Sequence, residues 1–194
     1  MESILDRVHT LATEAIRDGG VAVDATVGNG HDTAVLARAV GEEGTVFGFD
    51  VQPEALRATR SRLASDGLAD RVALVEAGHE TMAQHVPEAV HGRVEAVTFN
   101  LGYLPGSDSP LTTSPSTTLP ALDAAVRLLR PGGVATVVVY TGHEGGDEEA
   151  AAVDAWAADL PQARFEALSY RFVNRRNDPP RLVAVEKTDV RRET

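Results

Sequence analysis

Short apolar segments alternate with amphipathic segments along most of the chain, and no other feature of the sequence restricts the possible folds as much. Apolar runs typical of strands occupy 21–26, 45–50, 71–77, 93–99 and 133–140. Apolar residues at helical spacing occupy 2–17, 34–40, 53–65, 79–88 and 116–130, where Pro131 and the two glycines after it end the last helix. Strands that alternate with helices form βαβ units. The pattern therefore predicts an α/β fold with a mainly parallel sheet and helices on both faces.

The C-terminal part departs from this alternation. After the acidic loop GHEGGDEE, a helix is expected at 147–159, in which Trp156 has the spacing of a core residue. Two apolar runs at 165–173 and 181–187 follow, and the connection between them is too short for a crossover helix. We therefore predict that the last two strands are antiparallel to each other and complete a seven-stranded sheet.

Composition excludes several classes of protein. The chain has no cysteine, which removes disulfides and thiolate chemistry. It has no apolar run of 18 residues, and its N-terminal stretch is acidic with no apolar signal core, so we expect a cytoplasmic protein without a membrane partner. Neither a repeat nor a linker-like segment interrupts the pattern, which predicts a single domain over residues 1–194.

The charge of the chain is unusual. The formal net charge is −11, and Lys187 is the single lysine among cations that are otherwise arginines. This composition fits a protein from a high-salt cytoplasm, and it also fits an ordinary acidic, solvated surface; the sequence leaves both open. In either case the overall field repels nucleic acid, so an RNA partner would require a local basic patch.

Three strands end in residues suited to a nucleotide. The first runs into DATVGNGHDT (24–33), where Gly28 and Gly30 permit a tight bend and a close ligand approach before a helix begins. Asp50 ends the second strand, where a carboxylate accepts hydrogen bonds from ribose hydroxyls. The third is followed by AGH (77–79), where an adenine edge would lie. This order at the carboxyl ends of strands predicts an adenosine-bearing ligand.

The fourth strand runs into NLGY (100–103), which adds a side-chain amide and an aromatic ring to the predicted ligand site. The arrangement resembles the class I S-adenosylmethionine-dependent methyltransferases, and NLGY resembles the Asn-Pro-Pro-Tyr motif of enzymes that methylate exocyclic or primary nitrogens. In those enzymes the Asn oxygen and the next backbone carbonyl accept hydrogen bonds from the target amine, while the aromatic ring packs on a planar substrate. Alignment of the nucleophile is the main requirement of such a transfer.

A narrower resemblance covers about residues 3–187. The segments DATVGNGHDT, FDVQ, AGH, FNLGYLPG, VVYTGHEGG and RFVNRRNDPP are similar to a small rRNA-methylase family whose characterised members are tRNA 5-aminomethyl-2-thiouridine methyltransferases. The resemblance implies a Rossmann-like class I fold, S-adenosyl-L-methionine as cofactor, the wobble 5-aminomethyl group of tRNA as acceptor, and a homodimer. With the glycine turn, it predicts cofactor contacts from Asp24, Thr26, Gly28, Asn29, Gly30, His31, Asp50, Gln52, Gly78 and His79, and an acceptor site of Asn100, Gly102 and Tyr103.

Substrate residues are expected in the last hairpin and the loop before it. A basic group with neighbouring aromatic residues could clamp phosphates and stack a base, or could simply face solvent. Its residues are Arg171, Arg175, Arg176 and Arg181, and His143 joins the predicted substrate set. The acceptor amine must also lose a proton, for which Asp24, Asp108, His143 and water are open candidates.

Other functions remain possible at this level. An rRNA or small-molecule amine N-methyltransferase would use the same Asn geometry, and the acidic surface favours the small molecule. A nucleotide-binding module without catalysis would not need Asn100 and Tyr103. An NAD-linked oxidoreductase fits poorly, because Thr33 replaces the third glycine and no Tyr-x-x-x-Lys is present. No metal is expected, since the reaction needs none and the histidines lack a paired spacing.

Overall fold

The computed structural model describes residues 1–103, 111–142, 144–176 and 179–188. The strands in these ranges are β1 (Val21–Asp24), β2 (Thr45–Asp50), β3 (Val72–Glu76), β4 (Val94–Asn100), β5 (Leu129–Val139), β6 (Phe165–Tyr170) and β7 (Arg181–Lys187). The α-helices are α1 (Ile4–Ala15), α2 (His31–Ala39), α3 (Pro53–Ser65), α4 (Met82–His85), α5 (Pro115–Leu128) and α6 (Gly146–Ala158). Short 3₁₀ turns occupy Ala69–Arg71, His79–Thr81 and Glu88–Val90.

The seven strands form one sheet in the order β3-β2-β1-β4-β5-β7-β6. β7 is antiparallel to both of its neighbours, while the other pairs are parallel. This confirms the mainly parallel sheet and the antiparallel pairing of the last two strands. It also adds a detail that the sequence did not indicate, because β7 lies inside the sheet and β6 takes the edge. The apolar side chains of β7 are buried there, whereas most of β6 is exposed.

Helices cover both faces of the sheet, as predicted. One apolar cluster packs α4, α5 and α6 against the strands. A second cluster joins α1, α2 and α3 to the opposite face, and a smaller third cluster extends α1 towards β5 and β7. Within the described ranges, none of the helices has the length and apolar character needed to cross a membrane.

The sheet reverses its order between β1 and β4, which places the carboxyl ends of these two strands side by side. The strands are in register, with Asp24 opposite Thr98. From β1 the chain proceeds outward to β2 and β3, and from β4 it proceeds in the other direction to β5. Crevices at such a reversal are where open α/β sheets bind ligands. The fold therefore brings the glycine turn after β1 next to Asn100 at the end of β4.

Two predicted helices were wrong in extent. The segment 79–88 forms only a 3₁₀ turn and the four-residue α4, since the chain turns extended at Val86 ahead of Pro87. The helix expected over 116–130 ends at Leu128, and β5 begins at the next residue rather than after the Pro-Gly-Gly stretch. The extra residues of β5 are accommodated by a shift in register against β4. The single lysine, Lys187, donates its Nζ hydrogens to the carbonyls of Val126 and Leu129 at this helix end.

Other boundaries differ by smaller amounts. The predicted strand 165–173 ends at Tyr170, and the acidic loop is shorter than expected because α6 already begins at Gly146. Gly145 precedes the helix with φ 79°, a left-handed conformation that glycine adopts without strain. Trp156 is partly buried against the core, as its spacing indicated, and its indole N–H donates to Asp123 (2.9 Å).

Candidate active site

A cavity of about 860 Å³ opens where β1, β2 and β4 end, and its size is that of a small-molecule site. The predicted residues that line it are Thr26, Gly28, Asn29, His31, Asp50, Gln52, Gly78, His79, Asn100, Gly102 and Tyr103. Two predicted cofactor residues, Asp24 and Gly30, lie beneath the turn and do not line the cavity. The structure therefore brings most of the predicted cofactor and acceptor residues to one place.

The glycine turn after β1 has a shape that only glycine adopts easily. Gly28 and Gly30 have φ values of 52° and 76°. A Cβ on Gly30 would lie 2.6 Å from the Oγ1 of Thr59, which leaves no room for a side chain. The Thr59 hydroxyl also donates to the Gly28 carbonyl (3.0 Å), so α3 packs directly against the turn. Gly30 thus supports the shape of the turn from below.

Arg62 on α3 braces the same turn from the outer side. Its Nε donates to the Asn29 carbonyl (2.8 Å), and its Nη2 lies 3.0 Å from the His31 ring. Asn29 and His31 therefore owe their positions partly to a residue that the sequence analysis did not predict. No local signal could have indicated Arg62, because it belongs to a different helix and looks like an ordinary exposed cation.

Asp50 joins the ends of β1 and β2. One carboxylate oxygen accepts from the Gly28 backbone N–H (2.9 Å), and the other accepts from the Gln52 backbone N–H (2.9 Å). A carboxylate oxygen can accept more than one hydrogen bond, so Asp50 retains acceptor capacity on the side that lines the cavity. The residue therefore stabilises the turn and also offers a negative charge to a ligand.

Asp24 is enclosed below the turn, with only 1% of its surface exposed. It accepts a hydrogen bond from the Thr33 hydroxyl (2.5 Å) and another from the Thr26 backbone N–H (3.2 Å). Burial raises the pKa of Asp24 to about 7, with Asp32 adding to the rise and the Thr33 hydroxyl opposing it. Because Asp24 does not reach the cavity, the structure does not support it as a direct cofactor contact or as the proton acceptor.

This raised pKa predicts a specific pH dependence of stability. Between about pH 4, where an aspartate titrates in the unfolded chain, and the folded-state pKa of about 7, the folded protein holds a proton that the unfolded chain has released. The free energy of unfolding should therefore fall as pH rises through this window. The side chain in Asp24→Asn cannot ionise, so the free energy of unfolding of this variant should change less with pH within this window. Urea unfolding at several pH values measures this, with the exposed Asp70→Asn as control; parallel curves for wild type and Asp24→Asn would contradict it.

Asn100 lines the cavity and carries an unused hydrogen-bond acceptor. Its backbone N–H donates to the Thr26 hydroxyl (2.7 Å), which fixes the end of β4 against the turn after β1. Its Nδ2 lies 3.5 Å from an oxygen of Asp32. Its Oδ1 is buried and, among the described residues, has no hydrogen-bond partner. A buried acceptor left unpaired costs about 1–3 kcal/mol, so the site favours a ligand that donates a hydrogen bond there.

Three further side chains line the cavity together with Asn100, and the sequence analysis did not predict them. Asp32 begins α2 and accepts a 2.7 Å hydrogen bond from His9 on α1. This hydrogen bond raises the pKa of His9, although partial burial opposes the rise. Burial, with a contribution from Asp32, raises the pKa of Tyr140 at the end of β5. Asp32 could have been noticed beside His31 in the quoted loop, whereas His9 and Tyr140 carry no local signal.

Gly102 is held by a relay of hydrogen bonds. Its N–H donates to the Thr113 hydroxyl (2.8 Å), which in turn donates to Glu149 on α6 (2.7 Å). Glu149 is buried and also accepts from the Thr118 hydroxyl (2.6 Å). The Thr113 backbone N–H returns a hydrogen bond to the Gly102 carbonyl (3.0 Å). α5 and α6 therefore position the backbone just after Asn100.

We expect Thr113→Val to misplace this backbone. Valine has a similar volume but cannot accept from Gly102 or donate to the buried Glu149. Leaving such groups unpaired should cost about 1–3 kcal/mol of unfolding free energy. A displacement of the acceptor site by about 1 Å can lower turnover by about 10²-fold. Urea unfolding and single-turnover rates test this, with Thr45→Val, which lines neither cavity, as control; equal turnover of both variants would contradict it.

Tyr103 and His79 line the cavity at different depths, Tyr103 near the solvent and His79 in the interior. Tyr103 lies at the rim, 61% exposed, and forms an isolated bridge with Thr112. His79 is buried and packs edge-on against Phe99, and burial lowers its pKa. Together they give the cavity a neutral, partly aromatic wall beneath an exposed aromatic rim.

A second, smaller cavity of about 350 Å³ is lined by Arg171, Arg175 and Arg181. The Arg175 guanidinium lies 3.9 Å from the centre of the Phe172 ring, and Arg181 is paired with Asp154. Arg176 is exposed and does not line this cavity. The structure thus gathers three of the four arginines of the predicted basic group around this cavity. The predictions for His143 and Asp108 lie outside the described residues.

The order of the sheet and the pocket at its reversal define the class of protein: this is the architecture of the class I methyltransferases. Residues 46–186 match the family model described as "Putative rRNA methylase", and the chain belongs to that family, which confirms the resemblance. Within the described parts of the chain, no three or more His, Cys, Asp or Glu side chains form a group that could hold a metal ion.

Relatives with solved structures support the same family. A protein of Clostridium thermocellum described as an rRNA-methylase is 42% identical, with a TM-score of 0.92 over 96% of this chain and 98% of that one. A methyltransferase of Streptococcus mutans, solved in complex with SAH, is 35% identical, with a TM-score of 0.86 over 96% and 99%. The chloroplastic tRNA (mnm(5)s(2)U34)-methyltransferase of Arabidopsis thaliana is 39% identical over 86% of this chain but only 63% of its own length. The chain therefore spans less than two thirds of that relative.

Proposed function

We propose that this protein is an S-adenosyl-L-methionine-dependent methyltransferase that acts on an exocyclic amine of RNA, namely the 5-aminomethyl group of the wobble 2-thiouridine in tRNA. The observation that carries the proposal is Asn100, which lines the main cavity and whose buried Oδ1 has no hydrogen-bond partner among the described residues. An amine donates hydrogen bonds and so satisfies this oxygen. A cavity for adenosine alone would not require it.

The cofactor part of the proposal rests on the shape and charge of the turn after β1. We assign cofactor contacts to Thr26, Gly28, Asn29, His31, Asp50, Gln52, Gly78 and His79, with Asp24 and Gly30 as supports beneath them. The cavity of about 860 Å³ accommodates a nucleoside with an amino-acid tail. Asp50 offers acceptor capacity for hydroxyl groups, and the Streptococcus mutans relative, with SAH in its structure, supports the choice of ligand.

The chemistry assigned to the chain is mainly alignment. When bound, S-adenosylmethionine supplies a methyl group on an electrophilic sulfonium. Asn100 holds the acceptor amine through Oδ1, and the backbone before Gly102 accepts its second hydrogen. Thr113 and Glu149 keep that backbone in place. Tyr103 at the rim packs on the planar base. Orientation of this kind supplies much of the rate in a displacement reaction.

The choice of tRNA rests on the Arabidopsis relative and on the arginines of the last hairpin. In an acidic chain, Arg171 and Arg175 line a cavity beside an aromatic ring, which suits a phosphate and a base. We further propose that His143 and Arg176 contact RNA, that residues 1–194 act as one domain, that the protein works in the cytoplasm, and that it forms a homodimer.

Charge reversal tests the arginine assignment. Arg175→Glu with Arg176→Glu should weaken tRNA binding and reduce the slope of log K against log salt by roughly one unit per lost phosphate contact. Filter binding at several salt concentrations measures both quantities. The matched control reverses two exposed arginines that line neither cavity, Arg60 and Arg93. If both double variants bind alike, the hairpin arginines only face solvent.

Radiolabelled S-adenosylmethionine tests the whole proposal. The substrate is bulk tRNA from cells that lack the wobble methylation, followed by nucleoside mass spectrometry. Label in 5-methylaminomethyl-2-thiouridine is the expected result. Absence of label in tRNA, together with intact cofactor binding by calorimetry, would overturn the tRNA assignment. Label in ribosomal RNA instead would favour the second candidate, an rRNA methyltransferase, which the family description supports.

A further inference from the structure

We propose that Asp32 and His9 form a proton-accepting pair for the acceptor amine, so that the site is built for a basic aliphatic amine that arrives as an ammonium ion. This inference rests on the proposed function and names the chemical class of its acceptor. It assigns roles to two residues on different helices.

The position of Asp32 carries the first step. One of its oxygens lies 3.5 Å from the Asn100 amide nitrogen, while the unpaired Oδ1 belongs to the same amide group. Both residues line the main cavity. An amine that donates to Oδ1 therefore meets a carboxylate within one hydrogen bond or one water. A neutral amine donates a single charge-assisted hydrogen bond to this carboxylate, whereas an ammonium ion adds the attraction between two opposite charges.

His9 carries the second step, because it connects Asp32 to solvent. The His9 ring and the other oxygen of Asp32 are 2.7 Å apart, and the His9 side chain is 32% exposed against 15% for Asp32. A proton that reaches the pair can therefore leave through the more exposed member. His9 lies on α1, and the packing of α1 against α2, β4 and β5 holds His9 beside Asp32.

The charges around the pair come from several elements. Asp6 faces His9 from the same helix, and Asp24 lies beneath Asp32. Tyr140 approaches Asp32 from the end of β5. The hydrogen bond to Asp32 raises the pKa of His9. The pair therefore favours a proton on His9, and the partly exposed ring can release that proton to water.

The reaction balances with these groups alone. The ammonium form of the acceptor gives one proton to the Asp32–His9 pair and becomes a free amine. The amine nitrogen then forms a bond to the methyl carbon while the carbon–sulfur bond breaks, and the sulfur keeps the electron pair. The product leaves as a methylammonium ion, and His9 returns its proton to solvent. Each turnover thus restores the pair.

Single-turnover rates against pH test the inference, with saturating S-adenosylmethionine and tRNA that carries 5-aminomethyl-2-thiouridine. Asp32→Asn and His9→Gln should lower the rate at neutral pH by about 10²-fold or more, the usual range for lost acid–base assistance. The difference in rate from the wild type should shrink towards about pH 9, because the substrate amine is then deprotonated in solution and needs no proton-accepting residue. The matched controls are Asp70→Asn and His91→Gln, which do not line the cavity and should match the wild type.

A merely structural role for either residue would lower the rate equally at all pH values, and that outcome would overturn the inference while leaving the proposed function intact. Wild-type protein that transfers no methyl group to the tRNA would remove the proposed function and this inference with it. An independent readout is the titration of the His9 ring by NMR without cofactor. Asp32→Asn should lower the pKa of His9, and an unchanged titration would also overturn the pair.

Discussion

Asn100→Ala should reduce methyl transfer by about 10²- to 10³-fold, the usual loss when one positioning hydrogen bond is removed from a preorganised site. Among the described residues its Oδ1 has no hydrogen-bond partner, and alanine removes the group that would orient the amine. The affinity for S-adenosylmethionine should stay within a few-fold, because the hydrogen bonds that hold the turn after β1 come from Asp50 and Thr59 and remain in the variant. The measurement is a single-turnover rate together with a calorimetric Kd.

The control for this variant is Gln84→Ala, which removes an exposed amide outside the cavity. It should leave both the rate and the Kd unchanged. The backbone N–H of Asn100 still donates to Thr26 in the alanine variant, so the end of β4 should keep its place. A collapse of cofactor binding in Asn100→Ala would show that the division between donor and acceptor sites is wrong. Full turnover would remove Asn100 from the mechanism.

Asp50→Ala should do the reverse and weaken cofactor binding by roughly 10²-fold. Hydrogen bonds to a charged group contribute about 1.5–3 kcal/mol each, and a loss of about 3 kcal/mol corresponds to that factor. The variant also removes the acceptor for the Gly28 and Gln52 backbone N–H groups, which loosens the turn. Turnover at saturating cofactor should fall much less than affinity. Calorimetric Kd and saturating single-turnover rates separate the two effects.

The matched control for Asp50 is Glu76→Gln. Glu76 ends the neighbouring strand, lies opposite Asp50 in the register and is exposed outside the cavity. It should bind the cofactor as the wild type does. Asp50→Asn should be intermediate, since an amide keeps one acceptor oxygen. An unchanged Kd in Asp50→Ala would remove Asp50 from the cofactor site and reduce its role to holding the turn.

Much of the fold was predictable from the sequence, because strand and helix periodicity are local properties of the chain. Six of the seven strands begin within one residue of their predicted positions. The exception, β5, begins at Leu129 because its pairing with Val94 extends a strand through Pro131 and its glycines. The short α4 was overestimated for a related reason, since Pro87 and the nearby 3₁₀ turn outweigh the apolar spacing.

The ligand-site residues at the ends of the strands were also predictable. A glycine turn, an aspartate and an asparagine follow β1, β2 and β4, and parallel strands bring their carboxyl ends to one edge. The orientation of Asp24 was not predictable, because its sequence neighbours resemble ligand contacts while its side chain turns inward to Thr33. Local spacing does not reveal which side of a turn a side chain faces.

By itself, the sequence determined the α/β class, the family and the residues that reach the main cavity from the strand ends. Only the tertiary structure decided which partners those residues have. His9 meets Asp32 because α1 crosses α2, and Glu149 reaches Gly102 through Thr113 because α6 packs beside α5. Such contacts require side chains from distant segments to approach within hydrogen-bonding distance. That distance is set by how the helices pack on the sheet, and no periodicity in the chain encodes it.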